Sequence, residues 1–214
     1  MSPNLPNKAP KKEHIEPFQI KNIPHFYRGN YECDVPWSML EGQLESWKEA
    51  FGMDTDPDFQ RGHVWTMRQR SRFVEFVLRG GESAKVLLWN SPDWNGRLCD
   101  RTGKLPRGLV LVDGKQRLQS ALMFLHNEVR VFPNEQNPKG YLLNEFDKPE
   151  RAVGDHQCRF RFQVNCLETR TELLTWYLQL NDGGIAHTQA EIQKVKDMLD
   201  GEVKALVKIK EGSQ

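Results

Sequence analysis

The chain has no hydrophobic run approaching the roughly 20 residues of a membrane-spanning helix; apolar runs such as residues 109–112 are far shorter. Its first residues, MSPNLPNKAPKK, lack the apolar stretch of a secretory leader, which predicts a cytoplasmic protein. Cysteine is scarce. Cys33, Cys99, Cys158 and Cys166 form no CxxC pair, and their scatter suits neither a zinc ribbon nor a compact disulfide framework, so free thiols are expected. None of the six histidines falls in HxxxH or HxH spacing, which gives no zinc site. The standard phosphate loop, G-x-x-x-x-G-K-[ST], is missing as well. With 30 basic and 29 acidic residues the net charge is +1, which excludes the bulk electrostatics of a dedicated DNA coat.

What is present is enough for one sizeable domain: 214 residues, 38% hydrophobic, with eleven Phe and six Trp as bulky anchors. Charge is uneven locally. Between Gln60 and Arg79 five arginines (Arg61, Arg68, Arg70, Arg72, Arg79) face one acid, Glu75, and a helix there would carry a positive face, with Arg68, Arg70 and Arg72 as candidate DNA contacts. A solvated helix face is the plainer alternative.

Periodicity predicts the elements. Trp37, Leu40, Leu44, Trp47 and Phe51 recur at helical spacing, with Pro36 or Ser38 near the start and Gly52 ending the helix. A loop or short extended segment follows, then a second helix capped by Thr66, with Phe73, Val74, Phe76 and Val77 as its apolar stripe up to Gly80 and Gly81. Residues 84–89 and 109–112 read as buried strands, residues 128–132 as a short one, and residues 133–149 as a long polar connection. In QCRFRFQV, Cys158, Phe160, Phe162 and Val164 alternate with Gln157, Arg159, Arg161 and Gln163, the signature of a strand with one wet face. Thr169 with Glu172, and Thr188 with Glu191, form capping boxes for two closing helices. The expected class is α+β, with a small mixed sheet and helices on its faces and at its C-terminal end.

The sharpest feature is LVDGKQRL. A strand ending in Asp113-Gly114 enters a helix through Lys115, Gln116 and Arg117, which sets an amide and two cations beside the backbone N–H groups of a helix N-terminus. The macrodipole disfavours cations there. A compensating negative partner is needed; phosphate is the simplest, and Asp113 itself supplies part. Gln60 and Arg61, followed by Trp65, have a similar phosphate-gripping character. Asn181-Asp182-Gly183-Gly184 is a loop open to close backbone approach by a ligand. His63 is the best-placed histidine for acid-base work.

In order and spacing, FQRGHVW (residues 59–65), LVDGKQRLQSALMFL (residues 111–125) and LQLNDGGIAHTQAEI (residues 178–192) resemble the ParB/sulfiredoxin-like domain with a DGQQR motif. That domain forms the nucleotide-hydrolysing part of type IV, modification-dependent restriction enzymes. The resemblance spans about residues 37–199. Residues 1–17, rich in Pro and Lys with little apolar material, read as a mobile arm; the resemblance implies a ParB/sulfiredoxin-like domain over residues 18–165, followed by a helical extension at 166–214 packed on the same core. It implies a nucleoside triphosphate held with Mg²⁺: Asp113, Gln116 and Arg117 catalytic, Asp113 also the metal contact. Gln60, Arg61, Gly114, Lys115, Asn181 and Gly184 would surround the phosphates. Lys115 departs from the family's Gln, keeping phosphate attraction but losing an acceptor. No HNH-type nuclease is present in the sequence, so nucleotide hydrolysis linked to DNA is the expected activity. Two other classes compete: a DNA-binding or DNA-nicking protein of the same fold, and a phage- or plasmid-encoded interaction protein with an inactive pocket that binds a protein partner.

Overall fold

The computed structural model describes residues 31–60, 65–94, 105–106, 108–154, 158–181 and 189–211. In chain order its elements are β1 (Tyr31–Pro36), α1 (Leu40–Phe51), β2 (Met53–Asp54), α2 (Met67–Leu78), β3 (Val86–Asn90), β4 (Leu109–Asp113), α3 (Lys115–Leu125), α4 (Pro149–Gly154), β5 (Arg159–Asn165), α5 (Arg170–Asn181) and α6 (Gln189–Glu211). The strands form one sheet in the order β1-β5-β3-β4-β2, with β1/β5 and β3/β4 antiparallel and β5/β3 and β4/β2 parallel. This is the α+β class with a mixed sheet that the sequence predicts.

Alternation in β5 sorts the residues as expected. Cys158, Phe160, Phe162 and Val164 are buried, whereas Arg161 is exposed. The wet face is held by cross-strand pairs to β1. Asp34 lies opposite Arg161 and accepts from its guanidinium at 2.9 Å, and Glu32 lies opposite Gln163 and accepts from its amide at 2.7 Å. The hydrogen bond and charge of Arg161, with Arg159 beside it, hold the Asp34 carboxyl below its ordinary range. A depressed carboxylate stabilises the fold above its unfolded pKa, near ~3.9, and that contribution is lost as pH falls through the lower folded value. Asp34→Asn is therefore expected to melt slightly below wild type at pH 7. The difference should close in melts taken well below pH ~4.

The buried face of the sheet meets α1, α2 and α3 in an aromatic core around Trp37, Trp47, Phe73, Trp89, Phe124, Phe160 and Phe162. Trp37 sits in a 3-10 turn, so α1 begins one turn later than the apolar spacing suggests. Strand β4 is covered on both faces. Leu109 and Leu111 enter the first core; Val110 and Val112 face a second cluster formed by Phe59, Leu173, Leu174, Tyr177 and Val195. Buried Asn90, at the end of β3, fixes the entry to α5: its side chain accepts from the Leu167 N–H at 2.8 Å and donates to the Leu167 carbonyl at 3.1 Å.

Two expectations change. Residues 128–132 do not form a strand; a single bridge joins Val131 to Tyr141, and Val129 and Val131 are buried without a ladder. The polar connection holds a 3-10 turn at Leu143–Glu145, and α4, which no apolar period announced, follows it. Cys33, Cys158 and Cys166 are free thiols, and burial raises the pKa of Cys33 and Cys166, which makes them poor nucleophiles. Cys99, residues 1–17 and Thr188, the expected cap of the last helix, lie outside the described residues.

Candidate functional site

The site is built where β4 runs into α3. Pairing between β3 and β4 slips by one residue, Leu88 lying opposite Asp113 and Trp89 opposite Leu111, so Val112 is a bulge just before the turn. Gly114 then adopts φ +103°, and a Cβ built on it would lie 2.3 Å from Leu87 Cδ2. Conformation and space both demand glycine here. The first intrahelical bond of α3 runs from the Leu118 N–H to the Gly114 carbonyl (2.9 Å), so the positive end of the helix opens at residues 115–117.

The cations of this turn have internal partners. Arg117 pairs with Asp113, and its other nitrogen donates to the Ala84 carbonyl at 3.5 Å. Lys115, 9% exposed, pairs with Asp56 on the β2–α2 connection. The compensation that the sequence assigned to phosphate and in part to Asp113 is met in the fold by two carboxylates, of which Asp56 was not anticipated. A cation in the first turn of α3 was itself the signal, with the acids of DTDPD as the available partners. Both carboxylates sit outward of the cations they neutralise: Asp56 is 74% exposed and Asp113 45%, against 18% for Arg117.

Gln60 reaches the same place from the other direction. Phe59 is buried against Tyr177, and Asp58 is held by Arg170 at 2.6 Å and by Lys194 at its carbonyl, 2.8 Å. That anchoring delivers Gln60, whose amide donates to the Leu111 carbonyl of β4 at 2.5 Å. Its side-chain oxygen is buried and has no hydrogen-bond partner among the described residues. The Trp65 N–H donates to the Gln116 side-chain oxygen (3.2 Å), which ties the start of α2 to the start of α3 and brings two helix N-termini together. Thr66 caps α2 as expected, with Gln69 completing a capping box.

A cavity of about 170 Å³ lies at this junction. Asp113, Gly114, Lys115, Gln116, Arg117, Gln60 and Asn181 line it, together with Trp65, Val112 and Tyr177. Asn181 ends α5 and donates to the Tyr177 carbonyl at 2.6 Å. Every sequence-predicted pocket residue that is described therefore meets here; Arg61, His63 and Gly184 lie outside the described residues. Tyr177 was missed, since its period marked it only as core. Arg68 and Arg72 are exposed on α2, but Arg70 is 5% exposed and turned against α3, which removes it from that outer face.

Fold and site together define an α+β domain with a polar cavity at a strand-to-helix turn. A family model described as GmrSD restriction endonuclease, N-terminal domain, matches residues 45–198, most of the chain, and the protein belongs to that family. Comparisons with curated proteins and with solved structures gave no match. Among the described residues no helix is long and apolar enough to cross a membrane.

Proposed function

We propose that this protein is a ParB/sulfiredoxin-like nucleotide-hydrolysing module that binds a nucleoside triphosphate at residues 113–117 and serves a DNA-directed restriction function. The observation that carries the reading is the convergence of three separated segments, at Gln60, residues 113–117 and Asn181, on one cavity. That cavity faces the N-terminus of α3 and a turn only glycine can make, with Trp65, just before α2, as another wall. Family membership supports the restriction context. Arg117 is aligned by Asp113 and the Ala84 carbonyl before any ligand arrives; in this role it stabilises charge on the phosphoryl oxygens without reorganising at the moment of reaction.

Among the described residues no three His, Cys, Asp or Glu side chains gather as a cation cage. Mg²⁺ fits such a site, because it is commonly held by one or two carboxylates plus substrate phosphates and waters. Asp113, half-exposed at the cavity rim, is the residue that would hold it, and the ion would neutralise charge on the phosphates.

The test is phosphate release from each of the four ribonucleoside triphosphates with Mg²⁺, with and without DNA, for wild type and Asp113→Ala. Turnover by wild type and its loss in a folded Asp113→Ala variant are expected. Nucleotide binding without turnover in wild type would favour the inactive-pocket alternative, in which the chain works by capturing a protein partner. For DNA, Arg68 and Arg72 are exposed and, among the described residues, make no ion pair. If they contact backbone phosphates, Arg68→Ala with Arg72→Ala should weaken DNA binding regardless of sequence. The log–log salt slope should become shallower by about 0.9 per lost contact in a titration from low to physiological salt.

A further inference from the structure

At the β4–α3 turn the cations pair off, Arg117 with Asp113 and Lys115 with Asp56. Arg70 does not. It projects from the core face of α2 toward α3 and is 5% exposed, and its guanidinium makes one side-chain hydrogen bond, to the Ser120 hydroxyl at 3.3 Å. No carboxylate among the described residues lies within ion-pair distance of it. Ser120 in turn donates to the Gln116 carbonyl at 2.6 Å, and the Gln116 side chain holds the Trp65 N–H. Gln116 and Trp65 are cavity walls. Arg70 thus stands two hydrogen bonds behind the cavity wall, between α2 and α3.

A guanidinium keeps its charge and offers five donors. Burying it against a single neutral hydroxyl is unfavourable, because the water it gives up is not replaced by an anion. Burial correspondingly lowers its pKa. A fold that neutralises the cations of the turn and leaves this one uncompensated keeps a positive charge behind the cavity wall.

We propose that Arg70 is a positioning residue for a polyphosphate bound at residues 113–117, supplying an unneutralised charge behind the cavity wall and holding Gln116 through Ser120. The inference rests on the reading of the cavity as a polyphosphate site. It withdraws Arg70 from any DNA-contacting face and gives it a role on the opposite side of α2.

The full chain should be compared as wild type, Arg70→Met, which keeps length without charge, and Arg70→Lys, which keeps charge. The probes are inorganic phosphate, pyrophosphate and tripolyphosphate with Mg²⁺, read by calorimetry and thermal melting. Without ligand, Arg70→Met is expected to melt at or above the wild-type temperature, since an uncompensated buried charge has been removed. Its affinity for tripolyphosphate should fall about tenfold, with smaller losses for pyrophosphate and phosphate in step with their charge. Arg70→Lys should retain most of the affinity. An Arg70→Met chain that melts below wild type without ligand would show a structural role and overturn the proposal, as would an equal loss for all three anions or no loss for any. Failure of wild type to bind any of the three would instead overturn the polyphosphate reading, and this inference with it.

Discussion

Arg117→Ala is expected to lower the turnover number for nucleotide hydrolysis by about a thousandfold or more while leaving the protein folded. The stability side follows from the environment of the pair. Asp113 is 45% exposed and rehydrates when its partner is removed, so the lost ion pair contributes well under ~1 kcal/mol after screening. Removing a cation from the first turn of α3 relieves an unfavourable interaction with the helix dipole, and alanine is the best helix former, so two small terms act in the other direction. The activity side depends on geometry. The guanidinium is held from two directions, by Asp113 and by the Ala84 carbonyl, at the edge of the cavity. Arg117→Lys retains charge but not the planar fork, and should recover only part of the rate. Phosphate release and a thermal melt on the same preparations decide the matter: unchanged turnover in a folded Arg117→Ala protein removes the residue from the mechanism.

Gly114→Ala should be the most destabilising single-methyl change in the site, by about 2 to 5 kcal/mol. Left-handed backbone costs an L-residue roughly 1–2 kcal/mol, and forcing a methyl into a packed core costs about 1–3 kcal/mol more. The atom it would strike, Leu87 Cδ2 at 2.3 Å, belongs to a side chain with no exposed surface, so Leu87 has little room to move. Any relief must come from shifting the start of α3, which carries Lys115, Gln116 and Arg117. Ligand affinity should therefore fall along with stability. Gly42→Ala is the matched control. It lies within α1 with no atom within 4 Å of an added Cβ, and should be neutral or stabilising by up to about 1 kcal/mol. Urea unfolding of the two variants separates the cases, and a Gly114→Ala midpoint equal to wild type would mean the turn adapts at no cost.

Much of the site was legible because its signals are local. The break in pattern from a four-residue apolar strand to three-and-four spacing marks the strand-to-helix turn at residues 113–117, and Asp-Gly at that break names its geometry. The capping box of Thr169 and Glu172 appears as a reciprocal pair of hydrogen bonds at 3.2 and 3.0 Å, because cap and helix lie within four residues of each other. Arg70 was legible as well. It precedes Phe73, Val74 and Val77 by three, four and seven residues, which puts it on the core face of α2, roughly opposite Arg68; counting charges along the segment concealed what their period shows.

Other features had no local signature. The bulge at Val112 exists only in the register of β4 against β3, and nothing in LVLVD distinguishes a bulged strand from a regular one. Residues 128–132 carry an alternating apolar pattern, yet their one bridge is to Tyr141 across a long connection, since a strand needs a neighbour with open hydrogen-bonding groups.

By itself the sequence determined the periods of α1, α2, α3 and β5, which of their residues face a core, and that a strand-to-helix turn lies at residues 113–117. Those outcomes depend on backbone geometry and on solvation of side chains a few positions apart. Tertiary structure alone decided which charges are neutralised. Asp56 reaches Lys115 across 59 positions, Gln60 reaches the carbonyl of Leu111 across 51, and Arg70 meets a hydroxyl, not a carboxylate, across 50. Electrostatic energy depends on distance and burial in space, and neither is a property of position along the chain.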